Sequence, residues 1–73
     1  MVTLFKTETC PKCKVLAMKM NMKNIEFKEV TDLNVLAQYG ITEVPQLLVD
    51  DMPLMDMSAA NKWINSQEIR NNG

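Results

Sequence analysis

The chain opens on four apolar or β-branched residues, Val2-Thr3-Leu4-Phe5, and then turns polar over Lys6-Thr7-Glu8-Thr9. A run this short with polar flanks predicts a strand leading into a loop. The pattern changes period at Pro11. The next stretch, PKCKVLAMKMNMK, lacks Gly and is rich in Leu, Ala, Met and Lys, which favour helix. Proline at the first helical position gives up an N–H that would have had no partner there, so Cys10 is predicted to be the N-cap. On a helical period Cys13, Leu16, Ala17 and Met20 share one face, which is expected to pack on a sheet, and Lys12, Lys19 and Lys23 form a flanking stripe. Val15, Met18 and Met22 lie roughly opposite. This second apolar stripe is expected to meet a neighbouring helix in a small core; the other reading is a docking surface for a partner, to which the adaptable Met side chain is suited.

Ile25–Val30 (IEFKEV) begins with alternation and carries Ile, Phe and Val, which predicts a second strand, parallel to the first because a helical crossover joins them. Thr31 or Asp32 is placed to cap a second helix through Leu33–Tyr39. Gly40 suits the left-handed position that ends it, with Ile41 folding back on the last turn. The residue before Pro45 is pushed out of the helical region, so the segment from Ile41 is expected to be extended. Gln46–Val49 reads as a third strand, and Asp50-Asp51 as a turn into a short fourth, Met52–Met55, which Pro53 confines to a sheet edge. Ser58 is expected to cap a last helix from about Ala59 to Gln67, with Ala60, Trp63, Ile64 and Gln67 on one face, and the tail Glu68–Gly73 is expected to fray. The prediction is one α/β domain over residues 1–73 in the order β-α-β-α-β-β-α, with a four-stranded mixed sheet and three helices.

At 73 residues there is room for one core only, and such a core supplies about 3–5 kcal/mol unless other devices help. Eight Lys and Arg against nine Asp and Glu give a net charge of −1. That balance offers no electrostatic footprint for nucleic acid or an anionic membrane. The first residues carry neither the apolar run nor the cleavage site of a secretory signal, and no apolar stretch reaches the roughly 18 residues a membrane span needs. The expectation is a soluble, cytoplasmic monomer.

Composition matters most through its two cysteines, Cys10 and Cys13, separated by Pro11 and Lys12. In a reducing cytosol a cysteine pair is seldom a structural staple, and closing so short a loop would stabilise the fold by about 2 kcal/mol only. Three readings remain open on the residues alone. The pair is a redox couple, or half of a metal site, or a detail of a non-catalytic binding module. Structural zinc takes four ligands, whereas the chain has two thiols and no His, so a metal would need a second copy, carboxylates or outside thiols.

A C-x-x-C after the first strand, Tyr39–Val49 (YGITEVPQLLV) with its V-P about thirty residues later, and a last helix after a hairpin together resemble the thioredoxin superfamily in its small, glutaredoxin-like form. The resemblance covers nearly the whole chain. It implies a dithiol–disulfide oxidoreductase with a thioredoxin fold and no tightly bound cofactor. Its partners would be a disulfide-containing protein, with ribonucleotide reductase as the family-level example, and an electron donor, either glutathione or thioredoxin reductase. A bridged iron–sulfur cluster is a variant within the same family. The resemblance further implies a cis bond before Pro45, which would shape the substrate groove beside Thr9 and the cysteines, and pairing of the Val44 backbone with an extended substrate segment.

Glutathione-using members carry a basic residue three positions before the first cysteine, a T-V-P turn and a Gly-Gly with an acidic pair before the last helix. Here those places hold Thr7, Glu43-Val44-Pro45 and the run Leu54–Ser58. Lys6 is the candidate to replace the missing cation, and Asp56 with Ser58 to hold an α-amino group. The physical reason for the motif is that a thiolate, not a thiol, attacks disulfides, and a free cysteine is only about 3% ionised at pH 7. At the N-cap, the Cys10 sulfur faces unpaired N–H groups and the positive end of the helix dipole, with Lys12 adding a cation and Pro11 fixing the helix start. Cys10 is therefore the expected nucleophile, and Cys13, one turn inside, the resolving thiol.

Overall fold

A computed structural model describes residues 1–68 of the chain. The fraying expected of the tail falls, for positions 69–73, outside the described residues. Six elements follow one another: β1 (Val2–Phe5), α1 (Pro11–Met22), β2 (Lys28–Val30), α2 (Leu33–Gln38), β3 (Gln46–Val49) and α3 (Met57–Ser66). The architecture is α/β, with three helices and a three-stranded mixed sheet in the order β2-β1-β3. β1 runs parallel to β2, with Leu4 opposite Glu29, and antiparallel to β3, with Leu4 opposite Leu47.

The alternation of the strands sorts their side chains between two faces. Val2 and Leu4 of β1 and Leu47 and Val49 of β3 join Leu16 and Met20 of α1 and Ala60 and Ile64 of α3 in one buried cluster. Phe5 points the other way, equally buried, with its ring centroid 4.9 Å from that of Tyr39 at the end of α2. Among the described residues no helix is long and apolar enough to cross a membrane.

Two helix ends use the left-handed cap. After α2, Gly40 takes φ +69°, its N–H donates to the Ala37 carbonyl at 3.0 Å, and the Ile41 N–H reaches back to Leu36 at 3.0 Å. Asn24 (φ 56°) plays the same part after α1, where the Ile25 N–H donates to the Met20 carbonyl at 2.9 Å. That second cap explains why β2 is shorter than predicted. Ile25 spends its donor on the helix, and ladder pairing with β1 begins only at Lys28.

The expected four-stranded sheet is not formed. Met52–Met55 contributes one isolated bridge, Leu47 with Met55, through reciprocal bonds of 2.8 and 2.9 Å. Asp50 adopts φ 46°, the Met52 N–H folds back to the Val49 carbonyl at 2.9 Å, and Pro53 has no donor, so Met55 alone is left to pair before α3 starts. α3 also begins earlier than predicted. Its N-cap is Asp56, whose Oδ1 accepts the Ala59 N–H at 2.9 Å, while Ser58 lies exposed in the first turn. Asp32, of the two candidates, caps α2 by accepting from the Asn34 N–H at 2.9 Å.

The outer stripe of α1 is left largely exposed. Val15, Met18 and Met22 are 46, 63 and 73% exposed, which overturns the expectation of core contact. α3 instead packs on the side carrying Leu16 and Met20, and the flanking lysines reach over to it. The Lys19 ammonium donates to Asn61 and Asn65, and that of Lys23 donates to the backbone carbonyls of Ile64, Asn65 and Gln67 at 2.8, 3.1 and 2.7 Å.

Candidate functional site

The sharp turn from loop to helix at Cys10 sets the geometry of the cysteine pair. Cys10 is extended (φ −103°, ψ 102°), Pro11 is the first helical residue, and the Cys13 N–H donates to the Cys10 sulfur at 3.1 Å. Cys10 is thus the N-cap predicted from sequence, with its sulfur where a Ser or Asp oxygen would ordinarily sit. The two sulfurs are bonded to each other across a Cα–Cα distance of 5.2 Å. Their exposure is unequal in a way that decides access: Cys10 retains 7% and Cys13 none. An incoming sulfur can reach the first cysteine and not the second.

A cleft of about 260 Å³ lies beside the pair, bordered by Lys12, Glu43, Val44, Pro45, Gln46, Asp56, Met57 and Ser58. It brings together the residue between the cysteines, the V-P segment and the first turn of α3, elements far apart in the chain. The Val44–Pro45 bond is cis, as the resemblance implies, and Pro45 is buried. Five of the sequence-predicted site residues, Lys12, Val44, Pro45, Asp56 and Ser58, therefore share one cleft. Pro11 adjoins it as the first residue of α1.

Lys6 and Thr9 lie elsewhere. The Lys6 ammonium pairs with Glu29 of β2 at 2.6 Å, and its backbone N–H donates to the Val30 carbonyl at 3.0 Å, so this residue closes the β1–β2 edge. Thr9 borders a second groove, of about 350 Å³, together with Thr7, Glu8, Thr31 and Leu33. Thr9 and Lys12, on either side of Cys10 in the chain, border different hollows.

Glu43, Gln46 and Met57 in the cleft and Leu33 in the groove were not among the predicted site residues. For Glu43 a signal existed, since it directly precedes the V-P pair. Leu33 carried a weaker one: an apolar residue at the first position of a short helix that ends up 70% exposed.

No family model matches the chain, and neither a curated protein nor a solved structure does.

Proposed function

We propose that the chain is a dithiol–disulfide oxidoreductase, an electron carrier of the glutaredoxin and thioredoxin type that reduces protein disulfides through Cys10 and Cys13. The observation that carries this reading is the 3.1 Å bond from the Cys13 N–H to the Cys10 sulfur at the start of α1. Once the pair is reduced, the same donor and the positive end of the helix favour the Cys10 thiolate over the thiol, and Lys12 acts in the same direction. Among the described residues no such bond is made to the Cys13 sulfur, and its burial favours the thiol over the thiolate.

The chemistry balances over two exchanges. The Cys10 thiolate attacks one sulfur of the target disulfide, a Cys10–target bond forms, and the target's other sulfur leaves as a thiolate that takes up a proton. Cys13 then loses its proton and attacks the Cys10 sulfur. The intramolecular disulfide forms as the target's remaining sulfur leaves, two electrons having passed to the target. A thiol reductant, glutathione or an NADPH-driven thioredoxin reductase, returns the pair to the dithiol.

The cleft beside Lys12 supports the location of the target segment, with the Val44 backbone pairing to it and Pro45 setting the groove wall. Asp56 and Ser58 at its far end are the contacts for the target's polar groups. In this reading the α/β layout is a minimal thioredoxin fold, in which the Leu47–Met55 bridge stands for a fourth strand, and the working compartment is the cytoplasm, where thiols are kept reduced.

The test is reduction of a protein disulfide, such as those of insulin, by the chain with dithiothreitol, and of the oxidised chain by each reductant in turn. Cys10→Ser should abolish turnover while the far-ultraviolet circular dichroism persists, because Ser is at least as good an N-cap. Cys13→Ser should still form, and accumulate, a mixed disulfide with the target. Turnover by the Cys10→Ser protein at the wild-type rate would dismiss the proposal.

A further inference from the structure

We infer that the groove lined by Thr7, Glu8, Thr9, Thr31 and Leu33 is a specificity subsite that takes a long basic side chain, Lys or Arg, flanking the disulfide cysteine of the target polypeptide. The inference rests on the disulfide-exchange reading and names the class of target that site selects.

Continuity with the reactive sulfur is the first argument. Thr9 directly precedes Cys10 and forms part of the groove, while Lys12, two residues beyond, borders the cleft of Val44 and Pro45. A segment whose cysteine meets the Cys10 sulfur therefore lies against a turn whose neighbouring residues, Thr9 and Lys12, each border a hollow. The residue next to that cysteine enters the Thr9 groove, whose volume of about 350 Å³ accommodates one long side chain with water.

Charge complementarity selects the occupant. Glu8 is the one charged residue bordering the groove, and it has no ion-pair partner among the described residues. Lys6, the nearest cation along the chain, is held by Glu29 at 2.6 Å and leaves Glu8 uncompensated. Asp32, between Thr31 and Leu33 in the chain, is a second carboxylate, although it does not border the groove and its Oδ1 already accepts from the Asn34 N–H. A cationic head is favoured in such surroundings and an acidic one is disfavoured.

Leu33 completes the match. It is a large apolar residue left 70% exposed at the rim, beside the three threonines. The methylene stem of Lys or Arg covers apolar surface of this kind while its head stays at the carboxylate. A purely aliphatic occupant would use Leu33 and leave Glu8 idle, and an acidic one would meet repulsion.

The experiment follows single-turnover exchange of the pre-reduced full chain with three peptides, acetyl-Ala-X-Cys-X-Ala-amide, each oxidised to its symmetric disulfide, where X is Arg, Leu or Glu. Every rate is divided by that for bis(2-hydroxyethyl) disulfide, so that changes in Cys10 reactivity cancel. The Arg peptide should react about fivefold faster than the Glu peptide at low salt, the size of one exposed charge pair, and the ratio should shrink as salt rises. Glu8→Gln should bring the ratio close to one. Leu33→Ser should slow the Arg and Leu peptides and spare the Glu peptide. Equal normalised rates for Arg and Glu, or a ratio unmoved by Glu8→Gln, would overturn the subsite alone. Failure of the wild-type dithiol to reduce any of the disulfides, the hydroxyethyl one included, would instead remove the exchange reading beneath it.

Discussion

Cysteine is a weak choice for a helix N-cap, because a neutral thiol accepts hydrogen bonds poorly where Ser, Asp or Asn accept them well. Here the sulfur of Cys10 nonetheless takes the Cys13 N–H at 3.1 Å. The position makes sense if the capping species is the thiolate, which links the reactivity of one atom to the start of α1. In the reduced protein iodoacetamide should therefore alkylate Cys10 at pH 7 faster than it does a cysteine in an unstructured peptide, and Cys13 last, as read by peptide mass mapping. Equal labelling of both thiols at the peptide rate would refute the link. This much was legible in sequence, since Pro11 marks the helix start and so fixes Cys10 as the cap. Pro45 was legible too, through the V-P pair. Glu43 and Leu33 carry only faint marks, one beside the V-P pair and the other as an apolar helix start, because which surface residues border a hollow depends on contacts among segments distant along the chain.

Single residues also set the limits of each element. Gly40 and Ile41 end α2 as the sequence suggests, because only one residue type there tolerates φ +69° without strain. Asn24 does the same for α1, unpredicted, since Asn visits that region less often and leaves a weaker mark. For α3 the sequence points to Ser58 as the cap, and the carboxylate of Asp56 is the one used. Asp56→Ala should cost about 1 kcal/mol in chemical denaturation, whereas Ser58→Ala should stay within about 0.5 kcal/mol. The reverse order of the two losses would place the helix start where the sequence first suggested it. The missing fourth strand has the same local origin: a turn residue with positive φ, a donor turned back on Val49 and a proline leave one residue able to pair.

The molecule as a whole depends on how α1 and α3 sit on the sheet, and helical periodicity resolves this only in part. Leu16 and Met20 face inward, as their period implies. The stripe of Val15, Met18 and Met22, which periodicity points toward a neighbouring helix, faces solvent, since α3 shares the inward side of α1. Beyond their apolar contact the two helices are joined by Lys19, through Asn61 and Asn65, and by Lys23. The Lys23 ammonium offers three protons and meets three carbonyls where α3 ends, those of Ile64, which also accepts the Gln67 N–H at 3.1 Å, Asn65 and Gln67. A side chain so occupied is hidden from any protease that must draw it into a specificity pocket. Trypsin should cut after Lys23 only when the helices part, so the urea dependence of that cleavage should follow the fluorescence of Trp63. Prompt cutting there in native buffer would mean that the two helices separate without the rest of the core.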